Sequence, residues 1–456
     1  MNLHLPAALA VVAFLAAPAP SQPADQPQGR DARVAFLKAN AIEVRSLDPA
    51  DEDFTDLEPL IAHIGDARVV LLGEQTHGDG ACFLAKSRLI KFLHQRMGFD
   101  VLAFESGMFD MAWVEEGMRN NAPLSEVQKR GLFGIWAASE QCRELLEYAR
   151  RTNKHERPLE LAGFDSQYSS GLAREEFPKV VRAFFEKAAA ATSDQLQPVA
   201  DLEQWLEESG PNPKSQPTDQ IRAVEGVIAL LDEKRDLLAR AHAPRDIDFM
   251  RRCLRNQIEF ARQCAVGREG IAEGGRIRDT AMGENLAWLA DDFFKGRKVI
   301  VWAASMHNMY NAPDAWLNGD PDFYRDTITM GHVARKQLGG AMYSIMFLAD
   351  RGRIGRPWSN PSPIRKAPDH TLDSMLHAAG FKLAFLDLKS AASKDGGEWL
   401  TKRVAARPLG YALCEAHWLD QCDAFFFTDV MTPSTRWQEP EAPTPTPTPA
   451  PVPPAE

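Results

Sequence analysis

The chain of 456 residues contains few of the motifs that announce a well-known chemistry. Its six cysteines, at positions 82, 142, 253, 264, 414 and 422, form no CxxC pair, which argues against a zinc ribbon or a thioredoxin-type centre. No HExxH segment indicates a zinc hydrolase, and no GxSxG segment follows a predicted strand. The formal charge of -11 comes without a basic stripe. We therefore expect neither a metal or cofactor nor a nucleic-acid partner.

Long apolar runs are also scarce. Only residues 5–19 form one at the N-terminus, and no later segment reaches the ~18 to 20 apolar residues that a membrane helix needs. Residues 1–19 are predicted to be a signal peptide, which places the protein in the periplasm or outside the cell. In that setting Cys253 with Cys264, and Cys414 with Cys422, are near-neighbour options for disulfides; free buried thiols are the alternative.

Two polar segments flank the part of the chain that can fold. We predict a linker over residues 20–39 and a disordered Pro-rich tail over residues 436–456, because neither has the composition of a core. The folded domain is expected to span residues 40–435. The oligomeric state cannot be read from the sequence.

Short apolar runs recur through this domain and predict strands near residues 68–72, 100–104, 159–164, 298–304, 341–348, 382–388 and 423–429. Several are apolar at consecutive positions, which is typical of strands covered on both faces. Helical patterns separate several of them, so the predicted fold is α/β, with a mostly parallel sheet flanked by helices. Residues 172–296 have helical periodicity throughout and predict a helical insertion over the carboxyl-end cleft.

Acidic and imidazole side chains follow four of the predicted strands. Glu74 and His77 follow the first run, Glu105 the second, Asp165 the third and His307 the fourth. In open α/β sheets the ligand site lies beyond the carboxyl ends of the strands, so a shared site is predicted there. The alternatives are a helix cap, a solvated loop or a satisfied core histidine, the last being a real competitor for His307 beside Trp302. A histidine that is oriented by a carboxylate and activates water needs only residue types that are present.

The segment VVLLGEQTHGDGACFLAKSRLIKFLHQRMGFDVLAFESG, with its GExxHG motif, resembles the erythromycin esterase family. Further blocks follow in the expected order, among them LAGFDSQ, RDTAMGENLAWL and KVIVWAASMHN. The resemblance covers about residues 40–435. It implies an α/β hydrolase without a tightly bound metal, in which His77 is the general base. It also implies that Glu74 and Glu105 belong to the same site.

Two positions depart from the family's pattern. Lys86 stands where an arginine is usual in the following helix, and Arg88 lies nearby on another helical face. Ala304 replaces the first histidine of a His-Asn-x-His sequence, so only His307 is kept. That first histidine is considered important in macrolide-inactivating members, and its loss leaves the substrate open.

The function that we predict is hydrolysis of a carboxylic ester or lactone, not necessarily a macrolide, with a role in antibiotic resistance open. The predicted catalytic residues are His77, Glu74, Glu105 and His307. Lys86, Arg88, Asp165 and Trp302 are predicted to bind substrate. The alternative is a non-catalytic ligand- or metal-binding protein on the same scaffold, which the Ala304 departure favours.

Overall fold

The computed structural model describes residues 27–208, 216–266 and 270–438. The strands in these residues are β1 (Ile42–Glu43), β2 (Val69–Glu74), β3 (Phe99–Gly107), β4 (Glu160–Asp165), β5 (Lys298–Ala304), β6 (Trp316–Leu317), β7 (Met342–Ile354), β8 (Ser362–Ile364), β9 (Leu383–Asp387), β10 (Val404–Ala406), β11 (Cys414–Ala416) and β12 (Ala424–Met431).

The α-helices in the same residues are α1 (Pro27–Asn40), α2 (Leu60–Ile64), α3 (Gly80–Met97), α4 (Met108–Arg119), α5 (Leu124–Arg130), α6 (Gly134–Ala137), α7 (Glu140–Thr152), α8 (Gly171–Lys187), α9 (Gln197–Glu208), α10 (Pro217–Glu233), α11 (Arg235–Leu238), α12 (Pro244–Ala265), α13 (Ile271–Trp288), α14 (Ser305–Asn308), α15 (Met330–Leu338), α16 (Leu372–Ala378) and α17 (Leu388–Ala392). A π-helical turn, Leu289–Phe293, follows α13.

The main sheet has the strand order β1-β9-β12-β7-β2-β5-β3-β4, with β8 paired to β7. The pairs from β12 through β7, β2, β5 and β3 to β4 are parallel, whereas β9, β1 and β8 pair antiparallel. A small sheet of order β10-β11-β6 lies beside it. The prediction of a mostly parallel sheet flanked by helices is confirmed, and each of the seven predicted runs is a strand.

Apolar residues on both faces of the central strands explain why the sheet is covered on both sides. In β2, Val70 and Leu72 belong to one buried cluster with side chains of α3 and α7, while Val69 and Leu71 belong to a second cluster with residues of the helical insertion. Side chains alternate between the faces of a strand, so an unbroken apolar run needs cover on each side.

The helical insertion runs from α8 to α13, between β4 and β5. Its buried side chains, such as Val181, Phe185 and Val224, share an apolar cluster with the second face of the sheet. Helix α13 returns the chain to β5 and brings polar side chains to the ends of β3 and β4. The insertion is therefore part of the site as well as a cover.

One boundary prediction is wrong. Residues 27–39 of the predicted linker form most of helix α1, because Phe36 and Leu37 are buried and join Leu372 and Met375 of α16 in one apolar cluster. Residues 1–26 and 439–456, which include the predicted signal peptide and most of the Pro-rich tail, lie outside the described residues.

The cysteines are free: five are buried and Cys264 is exposed. The two disulfides considered from the sequence are therefore wrong. The alternative of free buried thiols is correct for five cysteines, and Cys264 is a free thiol that is exposed. A search of the described residues finds no helix long and apolar enough to cross a membrane.

Candidate active site

The first part of the candidate site is built where β2 ends. Glu74 is the last residue of β2 and is fully buried, and its Oε1 lies 3.1 Å from Nδ1 of His77. Its other oxygen accepts a hydrogen bond from Nζ of Lys86, which also donates to the carbonyl of Ala303 at 3.1 Å. A buried carboxylate thus bridges a buried ammonium group and an imidazole, and this arrangement holds the imidazole in one orientation.

Aromatic rings surround this group. The His77 ring stands edge-on to Trp136, with centroids 5.6 Å apart, and also contacts Phe133. Nζ of Lys86 lies 4.7 Å from the centroid of Trp302, in cation–π geometry. Trp302 is itself fully buried. These rings surround the group with apolar surface, so electrostatic interactions between Glu74, Lys86 and His77 are stronger there than they would be in solvent.

The second part of the site lies where β3 and β4 end. Glu105 and Asp165 both bind the guanidinium of Arg278, which reaches them from α13: Nη2 is 2.9 Å from Oε1 of Glu105 and 2.6 Å from Oδ2 of Asp165. Arg278 sits between the two carboxylates with only 11% of its side chain exposed. This contact joins the helical insertion to the sheet.

His307 faces two carboxylates. Its Nδ1 lies 2.7 Å from Asp279, the residue after Arg278 on α13, and its Nε2 lies 3.3 Å from Oε1 of Glu105. Asp279 also accepts a hydrogen bond from the backbone N–H of Met330 at 2.9 Å. Both ring nitrogens therefore point at acceptors, which is the environment of a doubly protonated imidazolium.

Burial and neighbouring charges shift the pKa values of His307 and Glu105 in opposite directions. Burial by itself lowers the pKa of His307, but the charges of Asp279 and Glu105 outweigh it and raise that pKa to about 10. Burial alone would raise the pKa of Glu105, yet the charge and hydrogen bond of His307 and the charge of Arg278 hold that pKa well below its usual range. At neutral pH, His307 is a cation and Glu105 an anion.

Ala304 separates the two parts of the site. It is paired with Glu74 in the β2–β5 register, and its backbone N–H donates to Oε2 of Glu105 at 3.0 Å. The residue after it, Ser305, donates its hydroxyl to the carbonyl of Gly73 at 2.6 Å. A Cβ on Gly73 would lie 2.9 Å from atoms of Ser305, so only glycine permits this close approach.

The structure brings six of the eight predicted residues to this edge of the sheet: Glu74, His77, Lys86, Glu105, Asp165 and His307. Arg88 lies elsewhere, since its guanidinium binds Asp56 at 2.7 and 2.8 Å together with carbonyls of the loop before it. Arg88 is therefore not brought together with the other predicted residues, because its guanidinium is bound by the acidic loop that contains Asp51 and Asp56. Trp302 borders the site, but it is fully buried beneath Lys86, so it supports the site without reaching substrate.

Arg278 and Asp279 were missed as site residues. They stand in the RDTAMGENLAWL block of the helical insertion, far in sequence from the strand ends. A consecutive basic and acidic residue on a helix is usually a solvated pair, so local sequence offers no signal. Their place in a block that carries the family resemblance is the one clue that was available.

A second cluster of histidine and carboxylates lies further along the same sheet. Asp350 of β7, Asp429 of β12 and His377 of α16 hold ligand-type atoms within 4.8 Å of one another. Arg351 contacts all three side chains, at 3.1 to 3.3 Å, and Lys382 adds a contact of 3.0 Å to Asp429. Two cations already neutralise these two carboxylates, so the set does not fit a metal ion.

A family model described as Erythromycin esterase matches residues 94–431. The Bacillus subtilis (strain 168) protein named "Putative hydrolase YbfO" is 25% identical over 415 residues, covering 85% of this chain and 89% of that protein. Erythromycin esterase type II of Escherichia coli is 41% identical over a segment of 61 residues, 13% of this chain and 15% of that protein.

Solved structures show the same fold. A protein from Bacillus cereus superposes with a TM-score of 0.74 at 18% identity, covering 90% of this chain and 99% of that one. A succinoglycan biosynthesis protein gives 0.69 at 17% identity, covering 91% and 100%.

An erythromycin esterase mutant in its open conformation gives a TM-score of 0.66 at 16% identity, covering 86% of this chain and 98% of that one. At these identities the likeness concerns the fold alone. The family model covers Glu105, Asp165, Arg278 and His307 and begins after the loop that carries His77. With a family model matched over most of its length, the chain belongs to the erythromycin esterase family, and its function is of the hydrolase type.

Proposed function

We propose that this protein hydrolyses a carboxylic ester or lactone, with His77 as the general base that activates water. The observation that carries the proposal is the hydrogen bonding of the two ring nitrogens of His77. Its Nδ1 is held by buried Glu74, whereas its Nε2 makes no hydrogen bond to any of the described residues, and the side chain keeps 7% exposure. An imidazole oriented on one nitrogen and open on the other is the form that a general base requires.

The proposed reaction begins when Nε2 of His77 accepts a proton from water. The water oxygen attacks the carbonyl carbon, and the carbonyl oxygen becomes an oxyanion. The intermediate then collapses, the bond to the leaving alkoxide breaks, and the His77 imidazolium returns its proton to that oxygen. Glu74 stabilises the imidazolium between these two steps, because its carboxylate contacts Nδ1 of His77 and is paired with Nζ of Lys86.

A second charged group is needed where the oxyanion develops. His307 and Arg278 are the cations on the opposite side of Ala304. The contact from Nε2 of His307 to Glu105 is 3.3 Å, longer than its 2.7 Å contact to Asp279. A substrate oxygen can therefore replace Glu105 as the acceptor at Nε2 of His307, while Asp279 keeps the ring in place. Lys86 is fully buried against Glu74, so we assign it to orienting Glu74 and not to binding substrate.

The balance of charge bears on the substrate. Four acidic side chains (Glu74, Glu105, Asp165 and Asp279) face three basic ones (Lys86, Arg278 and His307). A carboxylate or phosphate on the substrate would meet a site in which acidic side chains outnumber these basic ones. We therefore propose an uncharged ester or lactone.

The test is hydrolysis of aryl esters, simple lactones and macrolides by purified protein, with His77→Gln as the variant. His417→Gln is the matched control, because His417 also lies 3.0 Å from a carboxylate, Asp314, outside this site. We expect the His77 variant to lose turnover of any substrate that the natural protein cleaves, and the His417 variant to keep it. Full turnover by the His77 variant would overturn the mechanism.

The non-catalytic alternative makes a different prediction. A binding protein would retain a small molecule or metal after purification and hydrolyse none of the substrates. Among the described residues the group with metal-ligand spacing is Asp350, His377 and Asp429, and it shares no member with the site. Export of the protein remains a proposal from residues 1–19, and detection of the mature N-terminus after secretion tests it.

A further inference from the structure

Residues 432–437, which we call the C-terminal segment, cross the loop that carries His77. Asp79 and Pro433 form a β-bridge, and the N–H of Gly80 donates to the carbonyl of Thr432 at 2.8 Å. The N–H of Ser434 donates to the carbonyl of Gly78 at 3.0 Å. These contacts involve the three residues that follow His77, namely Gly78, Asp79 and Gly80.

The C-terminal segment is also fastened on its far side. The hydroxyls of Ser139 and Ser434 lie 2.8 Å apart, the N–H of Glu140 donates to the carbonyl of Thr435 at 2.9 Å, and the N–H of Trp437 donates to the carbonyl of Ala138 at 2.8 Å. Residues 138–140 follow α6, the helix that contains Trp136. The segment therefore ties the His77 loop to the element whose aromatic ring contacts His77.

The C-terminal segment passes so close to the His77 loop that position 80 has no room for a side chain. A Cβ on Gly80 would lie 2.4 Å from the carbonyl oxygen of Pro433. The start of α3 also depends on this contact: its N-cap residue, Asp79, makes no capping bond, because its carboxylate accepts from the N–H and hydroxyl of Thr76 instead. The carbonyl of Thr432 supplies the acceptor for the first N–H of the helix, which otherwise has no intrahelical partner.

We infer that the C-terminal segment is a positioning element for His77, acting through the carbonyl of Thr432 and the N–H of Ser434. The inference rests on the proposed function of His77 and goes beyond it, since the matched family model ends at residue 431. The segment fixes where the loop leaves β2 and enters α3, and so sets the position of the imidazole relative to the substrate carbonyl. A purely structural segment would affect stability but not this position.

The variant pair that isolates this role is Ser434→Pro against Ser434→Ala. Both lose the hydroxyl contact to Ser139, but only proline removes the N–H that donates to Gly78. The carbonyl of Gly78 also accepts from Gly355 at 3.1 Å, so it keeps one donor in either variant. We expect Ser434→Pro to lower kcat about tenfold relative to Ser434→Ala with KM within about twofold, because a small displacement of a reacting group is costly.

A readout independent of hydrolysis separates this inference from the proposed function. NMR titration of histidine-labelled protein, with the His77 signal identified by its loss in His77→Gln, reports on the imidazole directly. We expect the midpoint and chemical shift of His77 to differ between Ser434→Pro and Ser434→Ala. Equal His77 titrations and equal kcat values would overturn the inference. If no substrate is cleaved, the proposed function fails while the titration still decides the positioning role.

Gly80→Ala provides a second test, which acts on the loop side of the same contact. Its Cβ meets the backbone of Pro433, whereas Gly340→Ala, the control, meets no atom within 4 Å. We expect the His77 signal and kcat to change in Gly80→Ala and to stay at their natural values in Gly340→Ala. An unchanged His77 in a folded Gly80→Ala protein would count against the inference, whichever result Ser434→Pro gives.

Discussion

Two clusters of histidine and carboxylates lie along one sheet, and they differ in whether the histidine keeps an imidazole nitrogen without a partner among the described residues. In the cluster of Asp350, His377 and Asp429, Arg351 contacts all three side chains and Lys382 adds a second cation. In the candidate active site, His77 is held on one nitrogen alone. Both places combine a histidine with buried carboxylates. The difference teaches that an unpaired imidazole nitrogen, and not the cluster itself, indicates where chemistry can occur.

The largest expected effect is a difference in kcat/KM between substitutions of His77 and of His377. His77→Gln should lower kcat/KM by about 10²- to 10⁴-fold, the usual contribution of a general base. His377→Gln should leave it within about twofold, because His377 only completes an ion network. Steady-state kinetics on the best substrate measures both, and equal losses would remove the distinction between the clusters.

The next effect concerns Asp279, which orients His307. Asp279→Asn should lower kcat on the order of 10- to 100-fold, because the imidazole loses its charged acceptor. The pKa of about 10 for His307 depends on that charge, so the alkaline limb of the pH–rate profile should move to lower pH. Glu284→Gln, on the same helix with 53% of its side chain exposed, is the control and should leave the profile in place.

Stability should distinguish the two arginines. Arg278→Met leaves buried Glu105 and Asp165 without a counter-charge and should lower the free energy of unfolding by about 3–5 kcal/mol. Arg351 is 37% exposed, so Arg351→Met should cost only about 1 kcal/mol, discounted for solvent screening. Denaturant unfolding of both variants provides the comparison, and a larger loss for Arg351→Met would contradict it.

The smallest effect is a pH dependence of stability. The folded-state pKa of His307 is raised to about 10, so its stabilising contribution is complete below about pH 6.5 and is lost as pH rises through about 10. The gap in Tm between natural protein and His307→Gln should therefore narrow between pH 7 and pH 10. A gap that stays constant over this range would show that His307 is not charged in the folded protein.

Much of the fold could be predicted from periodicity. Unbroken apolar runs such as Val69 to Leu72 predict strands covered on both faces, and a long stretch of helical periodicity predicts the insertion. Helix α1 was not predicted because its first five residues, PQGRD, include a proline and a glycine and show no apolar periodicity. Its burial depends on Phe36 and Leu37 meeting α16, a contact over more than 300 positions in sequence.

The sequence by itself determined which strand ends carry acids and imidazoles, because each of these residues follows its own apolar run. It also determined the family, through motifs that lie close together along the chain. Only the tertiary structure decided which of these groups are paired. Arg278 binds Asp165 and Glu105, which lie 113 and 173 positions earlier in the sequence. Asp279 binds His307, which lies 28 positions later. Partners so far apart in sequence meet only when the sheet and the insertion pack, so local sequence cannot say which charge is neutralised and which nitrogen stays free.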